Sequence, residues 1–288
     1  MTGTALALVI GAAVLHSIWN ALTKRAQDQL AFLWSSVSLA TLLLGPFALW
    51  PLRNQGLPPG AAPFVVATIF LHAFYFFALG RAYRWGEFSL VYPIARGLGV
   101  VLVPLLALPL LDERLSPLGT AGVVLVVLGI IALHLTPGVV SAVASPSRSV
   151  GAGTGWALLT GLTIAAYSLV DKAGVARLHP LPYITLLGLG SSLVLLPAIL
   201  VQRDALRREW AMNWRAILVA SAMNLTAYLL VLFAFRLSKT GYVVAARELS
   251  IVFSAIIGSL WLGESRLGPR LLGAAVILAG VACVALAR

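Results

Sequence analysis

The chain repeats itself, and each copy holds an odd number of apolar segments. A shift of 151 residues superimposes identical residues of three kinds: Arg96 on Arg247, Glu113 on Glu264, Gly122 on Gly273 and Gly129 on Gly280. The match runs for about 40 residues without a gap, and hydrophobicity alone would not align arginines, glutamates and glycines. Five spans per copy make the second copy enter the membrane from the opposite side. This predicts an inverted repeat, an architecture common among alternating-access transporters.

Composition excludes a soluble domain. Hydrophobic residues make up 60% of the chain and charged residues 10%, with a mean hydropathy of +0.99, whereas soluble domains carry roughly 25% charged residues. The net charge of +11 comes from cations scattered at span ends, where they anchor and orient helices, so we expect no nucleic-acid partner. The single cysteine, Cys283, excludes an intrachain disulfide.

Apolar runs bounded by Gly, Pro or charge define the predicted spans. The first set is 3–22, 30–50, 62–83, 88–110 and 117–136, and the second is 153–172, 181–201, 214–236, 241–262 and 267–287. No basic stretch precedes 3–22, so we expect a retained span and not a cleaved signal. Backbone groups inside a bilayer must pair within their own segment. The sequence therefore predicts an all-α integral membrane protein with ten transmembrane helices in two inverted five-helix repeats. It forms a single transporter domain, 1–288, comprising repeat 3–136, a flexible linker 137–152 and repeat 153–287.

Polar side chains in the first span form one candidate site. His16, Trp19 and Asn20 are three or four residues apart and so share a helix face. Polar residues at this depth usually face a cavity and carry a function. The alternative is that His16 and Asn20 only bond to neighbouring helices.

The repeated arginines form a second candidate site. Tyr92 and Arg96 are four residues apart in the fourth span, and Arg247 shares a face with Ser250 in the ninth. A guanidinium there could bind a substrate carboxylate bidentately. The alternatives are snorkelling to the interface or a tie between helices. On the first interpretation, Arg96→Ala reduces transport of carboxylated solutes and leaves the fold intact, whereas loss of the folded protein would mark a structural tie.

Further polar faces complete a predicted cavity lined by spans one, three, four, six, eight and nine. Hydroxyl, amide and aromatic groups recur along these faces: Thr68, His72 and Tyr75; Thr160, Thr163, Tyr167 and Ser168; Ser221, Asn224 and Tyr228. Such a lining suits zwitterionic or mildly amphipathic solutes. We expect Asp171, near a span end, to be a solvated carboxylate at the loop edge. For Glu248 we favour pairing with another helix over proton carriage, and for Glu113 and Glu264 a structural role.

The order of these motifs resembles the drug/metabolite transporter superfamily, EamA type. The resemblance rests on His16-Ser17-Ile18-Trp19-Asn20 in span one, Tyr92-Pro93 in span four, and Leu111-Asp112-Glu113 and Leu262-Gly263-Glu264 before two Gly-rich helices. It covers almost the whole chain. It implies ten helices in inverted repeats and movement of small metabolites or drugs, often outward. Single-domain amino-acid exporters are the most similar branch in size and aromatic content.

The orientation in the membrane has two opposed indications. An even number of spans places both termini on one side. Lys and Arg are more numerous on the opposite side, chiefly because of the Arg203–Arg215 loop, so the positive-inside rule places the termini outside. The resemblance implies cytoplasmic termini, and we follow the resemblance.

The sequence thus predicts a secondary transporter of the plasma (inner) membrane that exports amino acids, aromatic ones included, or similar small metabolites. The alternatives are a sugar-phosphate or nucleotide-sugar antiporter and, from another class, an integral-membrane enzyme or lipid-handling protein. No nucleophile elbow, metal-spaced cluster or phosphate loop occurs, so we expect neither enzyme activity nor a cofactor or metal. The expected partners are a small-molecule substrate and the lipid bilayer. A monomer suffices, and a homodimer is also compatible.

Overall fold

The computed structural model describes residues 1–85, 88–134, 148–253 and 267–287. Helices dominate these residues, and no strand occurs within them. The helices are α1 (Gly3–Lys24), α2 (Gln29–Ala48), α3 (Trp50–Gln55), α4 (Ala62–Trp85), α5 (Phe88–Leu111), α6 (Pro117–His134), α7 (Arg148–Val175), α8 (Pro180–Val201), α9 (Arg203–Leu237), α10 (Thr240–Arg247) and α11 (Leu267–Leu286).

Seven of the described helices are long and apolar enough to cross a membrane, namely α1, α2, α4, α5, α7, α8 and α9. The shorter apolar stretches 117–132 and 272–286 belong to α6 and α11. Large apolar side chains point outward along the bundle, including Phe47 and Leu193. Such exposure is expected where the surrounding solvent is lipid. The chain is therefore a membrane protein with multiple apolar helices.

Several predicted boundaries differ from the structure, and two of the differences have a local cause. The second span was expected to run through residue 50, but α2 ends at Ala48 and the short helix α3 begins at Trp50. Pro51 lies in the first turn of α3, a position that suits proline because its missing N–H is not needed there. At the other difference, residues 148–152 of the predicted linker 137–152 are helical. Extending an existing helix by a turn costs little even through small residues.

The ninth predicted span, 241–262, is interrupted. Helix α10 ends at Arg247, Glu248 forms a turn, and residues 249–253 are helical again. The turn closes through a hydrogen bond from the Glu248 N–H to the Ala245 carbonyl (3.2 Å) and one from the Ile251 N–H to the Glu248 carbonyl (2.9 Å). These are the tighter i to i+3 bonds that often mark a hinge inside a helix. The rest of this span, including Ser254 and Gly258, lies outside the described residues.

Helices α6 and α11 pack with their backbones in contact. A Cβ placed on Gly122 would lie 2.7 Å from the Gly280 carbonyl oxygen, and one on Gly129 would lie 2.9 Å from the Gly273 carbonyl oxygen. Only glycine permits this approach, as in other small-residue contacts between membrane helices. Contacts that pair 122 with 280 and 129 with 273 run in opposite order along the chain. The two helices are therefore antiparallel.

Other helix contacts occur in pairs that the 151-residue shift relates to each other. Helix α1 packs against α9 and α4 packs against α7; likewise α9 packs against α2 and α4 packs against α8. Helices α2 and α8 also contact each other directly. At Gly188 in α8, a Cβ would lie 2.2 Å from the Cγ2 atom of Thr41, so this glycine permits the close α2–α8 approach.

Both ends of the described chain lie on one face of the bundle. The Met1 ammonium donates hydrogen bonds to the carbonyls of Ala287 (2.5 Å) and Ala285 (3.4 Å). The loop before α6 is fixed on this face, since Glu113 accepts a hydrogen bond from the Thr240 N–H (2.5 Å) and lies 3.3 Å from the Lys172 ammonium. The predicted structural role of Glu113 is confirmed. Glu264 lies outside the described residues.

Candidate functional site

A cavity opens between seven helices, α1, α2, α4, α7, α8, α9 and α10. It encloses about 810 Å³ of atom-free space, including its mouth. Nine of the residues predicted for the cavity line it: His16, Trp19, His72, Tyr75, Tyr167, Ser221, Asn224, Tyr228 and Arg247. The structure therefore brings these side chains, drawn from five helices, around one space.

Helix α5, the predicted fourth span, contributes no lining residue within the described part of the chain, contrary to expectation. Helices α2 and α8 take part instead, through residues such as Val37, Ala40 and Leu187. Polar periodicity could not reveal them because the cavity side of both helices is almost wholly apolar. No polar pattern in the sequence marks these two helices, and only the small size of lining residues such as Ala40 distinguishes this side.

His72 is the centre of an aromatic cluster on the cavity wall. Its ring centroid lies 4.4 Å from that of Tyr167, 5.3 Å from Tyr228 and 6.5 Å from Tyr75. The Tyr75 and Tyr167 rings meet edge to face at 5.5 Å. Edge-to-face and tilted rings at these separations attract each other beyond their hydrophobic burial. The cluster therefore offers a firm, polarisable wall for an apolar or aromatic ligand group.

A buried carboxylate lies behind this wall. Asp171 has no exposed surface and accepts hydrogen bonds from Thr68 Oγ1 (2.5 Å), Tyr183 Oη (2.8 Å) and Tyr228 Oη. Its Oδ2 atom lies 3.9 Å from His72 Nε2. The expectation of a solvated loop-edge carboxylate is wrong. Helix α7 continues to Val175, so Asp171 is a full turn inside the helix, among donors from three other segments.

The predicted polar face of α1 is divided between two environments. His16 and Trp19 line the cavity with their rings edge to face at 4.9 Å. The Trp19 Nε1–H is buried, with no hydrogen-bond partner among the described residues. The Asn20 side chain is outside the lining and donates to the His16 carbonyl at 2.8 Å. An unpaired buried donor is costly. The Trp19 N–H is therefore expected to donate a hydrogen bond to an acceptor of a bound ligand.

The two repeated arginines have different surroundings. Arg96 is buried and pairs with Glu248 through two contacts, Nη2 to Oε1 at 2.7 Å and Nε to Oε2 at 3.2 Å. This bidentate ion pair joins α5 to the turn after α10. The interpretation that Glu248 partners another helix is confirmed. For Arg96 the structure selects the tie between helices, and this side chain is outside the cavity lining.

Arg247 lines the cavity, and no carboxylate of the described residues lies within ion-pair distance of its guanidinium. Its Cζ atom lies 5.7 Å from the centroid of the Tyr228 ring, within the range of a cation–π contact. The repeat explains the difference between the arginines. Under the 151-residue shift Glu248 corresponds to Gly97, so the first repeat offers no carboxylate at the position that would mirror the Arg96 pair.

Residues 151–286 match the sequence profile of the EamA-like transporter family. The second half of this chain is therefore similar to an EamA-like transporter domain. The match implies a membrane transporter of small molecules. No curated protein is significantly similar in sequence to the chain. A solved structure titled only "Crystal structure of protein" superposes with a TM-score of 0.72, at 15% identity, over 99% of this chain and 98% of that one. Identity this low shows a shared fold alone.

The matched region 151–286 also holds two predicted site residues that lie away from the cavity. The Ser168 hydroxyl donates to the Ile164 carbonyl within its own helix (2.7 Å). Ser250 is buried, its hydroxyl lacks a hydrogen-bond partner in the described residues, and its carbonyl accepts from Ser17 Oγ at 2.8 Å. In the first half, the side chain of Tyr92 lies outside the described residues.

Tyr228→Phe is expected to destabilise the protein by about 1–3 kcal/mol, because a buried carboxylate, Asp171, loses one of its donors. The loss is measured as a lower midpoint of thermal unfolding in detergent. Tyr167→Phe is the matched control, since the Tyr167 hydroxyl makes no hydrogen bond to the described residues. Equal midpoints for the two variants would show that the Tyr228 bond to Asp171 contributes nothing.

Proposed function

We propose that this protein exports amino acids, aromatic ones included, or similar small metabolites across the plasma (inner) membrane by alternating access. The observation that carries the proposal is Arg247, a buried cation that lines an aromatic cavity without a carboxylate partner in the described residues. A guanidinium in this position binds a substrate carboxylate bidentately. The apolar and aromatic walls then accommodate the side chain of the solute.

The mechanism we propose uses ten helices in two inverted repeats, with both termini in the cytoplasm. Exchanging the halves by 151 residues maps the Gly122–Gly280 contact onto the Gly273–Gly129 contact, and it maps the α1–α9 packing onto the α7–α4 packing. The equivalent helices α6 and α11 run antiparallel, as helices related by inversion do. The interruption beside Arg247 also resembles the discontinuous helices found at transporter sites. These features support rocking of one repeat against the other.

The antiporter alternative has less support. A sugar phosphate or nucleotide sugar carries two or more negative charges and calls for several cations in the cavity. Arg96 is engaged by Glu248, so only one of the two repeated arginines faces the cavity. One guanidinium matches one carboxylate.

The function is tested by efflux from proteoliposomes preloaded with a panel of labelled amino acids, compared with protein-free vesicles. Export predicts faster loss of a subset of amino acids, with aromatic ones among them. Background rates for every amino acid, in vesicles whose protein is shown to be inserted and folded, would contradict the assignment. Exchange of sugar phosphates in the same vesicles would then establish the antiporter.

Arg247→Gln is expected to weaken binding of an amino-acid substrate by about 10- to 100-fold, the effect of losing one charge-assisted hydrogen-bonded pair. Tryptophan fluorescence can report the titration because Trp19 lines the cavity. Arg247→Lys keeps the charge and should retain part of the affinity. Unchanged affinity in Arg247→Gln would mean that the substrate carboxylate binds elsewhere.

A further inference from the structure

The first part of α9 is separated from the rest of that helix by a kink and carries most of its charges. Residues 203–212 precede a kink at Asn213, where φ is −123° and ψ is 17°. Beyond the kink α9 continues into the membrane and supplies Ser221, Asn224 and Tyr228 to the cavity. We call residues 203–215 the arginine segment, because it contains Arg203, Arg207, Arg208 and Arg215.

The arginine segment is fixed to the bundle by one buried carboxylate. Glu209 has no exposed surface; it accepts hydrogen bonds from the Asp28 N–H at the start of α2 (2.6 Å) and from Asn213 Nδ2 (2.8 Å). Trp210 Nε1 adds a hydrogen bond to Ser35 Oγ in α2 at 3.0 Å. The segment therefore has a defined position at the membrane ends of α2 and α9, on the face opposite the chain termini.

The cations of this segment are exposed and form no ion pair with the described residues. Arg203, Arg207, Arg208 and Arg215 are all on the surface, and no carboxylate of the described residues lies within ion-pair distance of any of them. Asp204 is the only exposed acid in the segment. Four guanidinium groups thus face the surroundings with a single negative side chain among them.

Apolar side chains of the same segment indicate that these surroundings are the lipid interface. Trp210, Met212 and Trp214 are exposed beside the arginines, and the Arg215 guanidinium lies 5.2 Å from the Trp214 ring centroid. Tryptophan and arginine together are typical of the headgroup level of a bilayer. A short helix that carries exposed cations and exposed large apolar groups fits the plane of that interface.

We propose that the arginine segment is a binding surface for the headgroups of anionic phospholipids. Each exposed guanidinium matches a phosphate with two parallel hydrogen bonds, and a cluster of cations near the bilayer surface favours acidic over zwitterionic lipids. Because Glu209 ties the segment to α2 and the backbone joins it to α9, a bound lipid holds two cavity-lining helices in place. This proposal does not depend on which solute the cavity binds.

The test compares lipids retained by the purified protein after equilibration with equal amounts of phosphatidylglycerol and phosphatidylcholine, counted by native mass spectrometry. We expect the wild-type protein to be enriched in phosphatidylglycerol. In the triple variant R203Q/R207Q/R208Q, the ratio of retained phosphatidylglycerol to phosphatidylcholine should fall at least about tenfold, since each cation near the surface contributes to binding acidic lipid. The preference should also fall in high salt, which screens exposed charges.

The matched control is R53Q/R114Q/R236Q, which removes three exposed arginines from the opposite face and should keep the wild-type enrichment. Equal losses in the two triple variants would show that net charge, and not this segment, attracts the lipid. An unchanged preference in R203Q/R207Q/R208Q would overturn the proposal. If that variant does not fold, the wild-type salt dependence decides, because a preference insensitive to salt also contradicts binding at exposed arginines.

A competition with inorganic phosphate distinguishes a lipid headgroup from free phosphate. Inorganic phosphate at the same concentration as the lipid should not displace bound phosphatidylglycerol, and displacement would indicate a site for free phosphate.

Discussion

Gly122→Leu is expected to abolish the folded protein. A side chain at this position meets the backbone of α11, with the Gly280 carbonyl oxygen at 2.7 Å and the Val284 nitrogen at 2.9 Å from the first added carbon. A flexible neighbour could move aside, but backbone atoms of a packed helix cannot. Overpacking of this kind costs about 3 kcal/mol or more. The readout is the fraction of protein that elutes as a monodisperse peak from detergent, together with the thermal unfolding midpoint.

Gly155→Leu is the matched control for this substitution. Gly155 also lies inside a membrane helix, but a Cβ placed there has no atom within 4 Å. Replacing glycine in an exposed helix position is neutral or stabilising by up to about 1 kcal/mol. If both variants elute alike, the α6–α11 contact is not tight in the folded protein, and the antiparallel pairing of these helices loses its main support.

Glu248→Ala is expected to produce the second largest loss, about 3–5 kcal/mol, because it removes the carboxylate that compensates the buried Arg96 guanidinium. The double variant Arg96→Met/Glu248→Leu replaces the ion pair by apolar groups. It should recover most of the lost stability. The readout is the thermal unfolding midpoint in detergent of the wild type, Glu248→Ala and the double variant. Asp112→Asn, which alters an exposed carboxylate outside the membrane, should match the wild type.

A double variant no more stable than Glu248→Ala would show that the uncompensated charge of Arg96 is not the cause of the lost stability. The same measurement decides the role of Arg96. The sequence left open whether Arg96→Ala impairs transport alone or the fold, and the ion pair predicts loss of the fold. Preserved stability together with lost transport in Arg96→Ala would instead return Arg96 to the substrate site.

The sequence predicted most of the described helices because each membrane helix requires a continuous apolar run of residues. The aligned glycines of the two halves lie in two helices whose backbones meet, with Gly122 next to Gly280; the sequence predicted the helices but not this pairing. Polar residues spaced by three or four in apolar helices identified most of the polar side chains that line the cavity, because such residues are costly unless they face a polar space.

The partners of individual charges could not be predicted. The repeat made Arg96 and Arg247 look equivalent, yet Glu248 lies 152 positions from the arginine that it binds. Which helix brings a carboxylate to which guanidinium depends on packing and not on local spacing. The burial of Asp171 has the same origin, since Thr68 and Tyr183 reach it from other helices. In hindsight the replacement of Glu248 by Gly97 in the first repeat was the available signal that the two arginines differ.

The central claim is that Arg247 binds the carboxylate of a transported amino acid, and a matched pair of solutes tests it most directly. Proteoliposomes are preloaded with phenylalanine or with phenethylamine, which lacks the carboxylate, and carry either the wild-type protein or Arg247→Gln. We expect the wild-type protein to export phenylalanine much faster than phenethylamine, and Arg247→Gln to remove this difference by slowing phenylalanine. If Arg247→Gln exports phenylalanine at the wild-type rate and keeps the preference, the cavity does not recognise a carboxylate through Arg247, and the proposed function is contradicted.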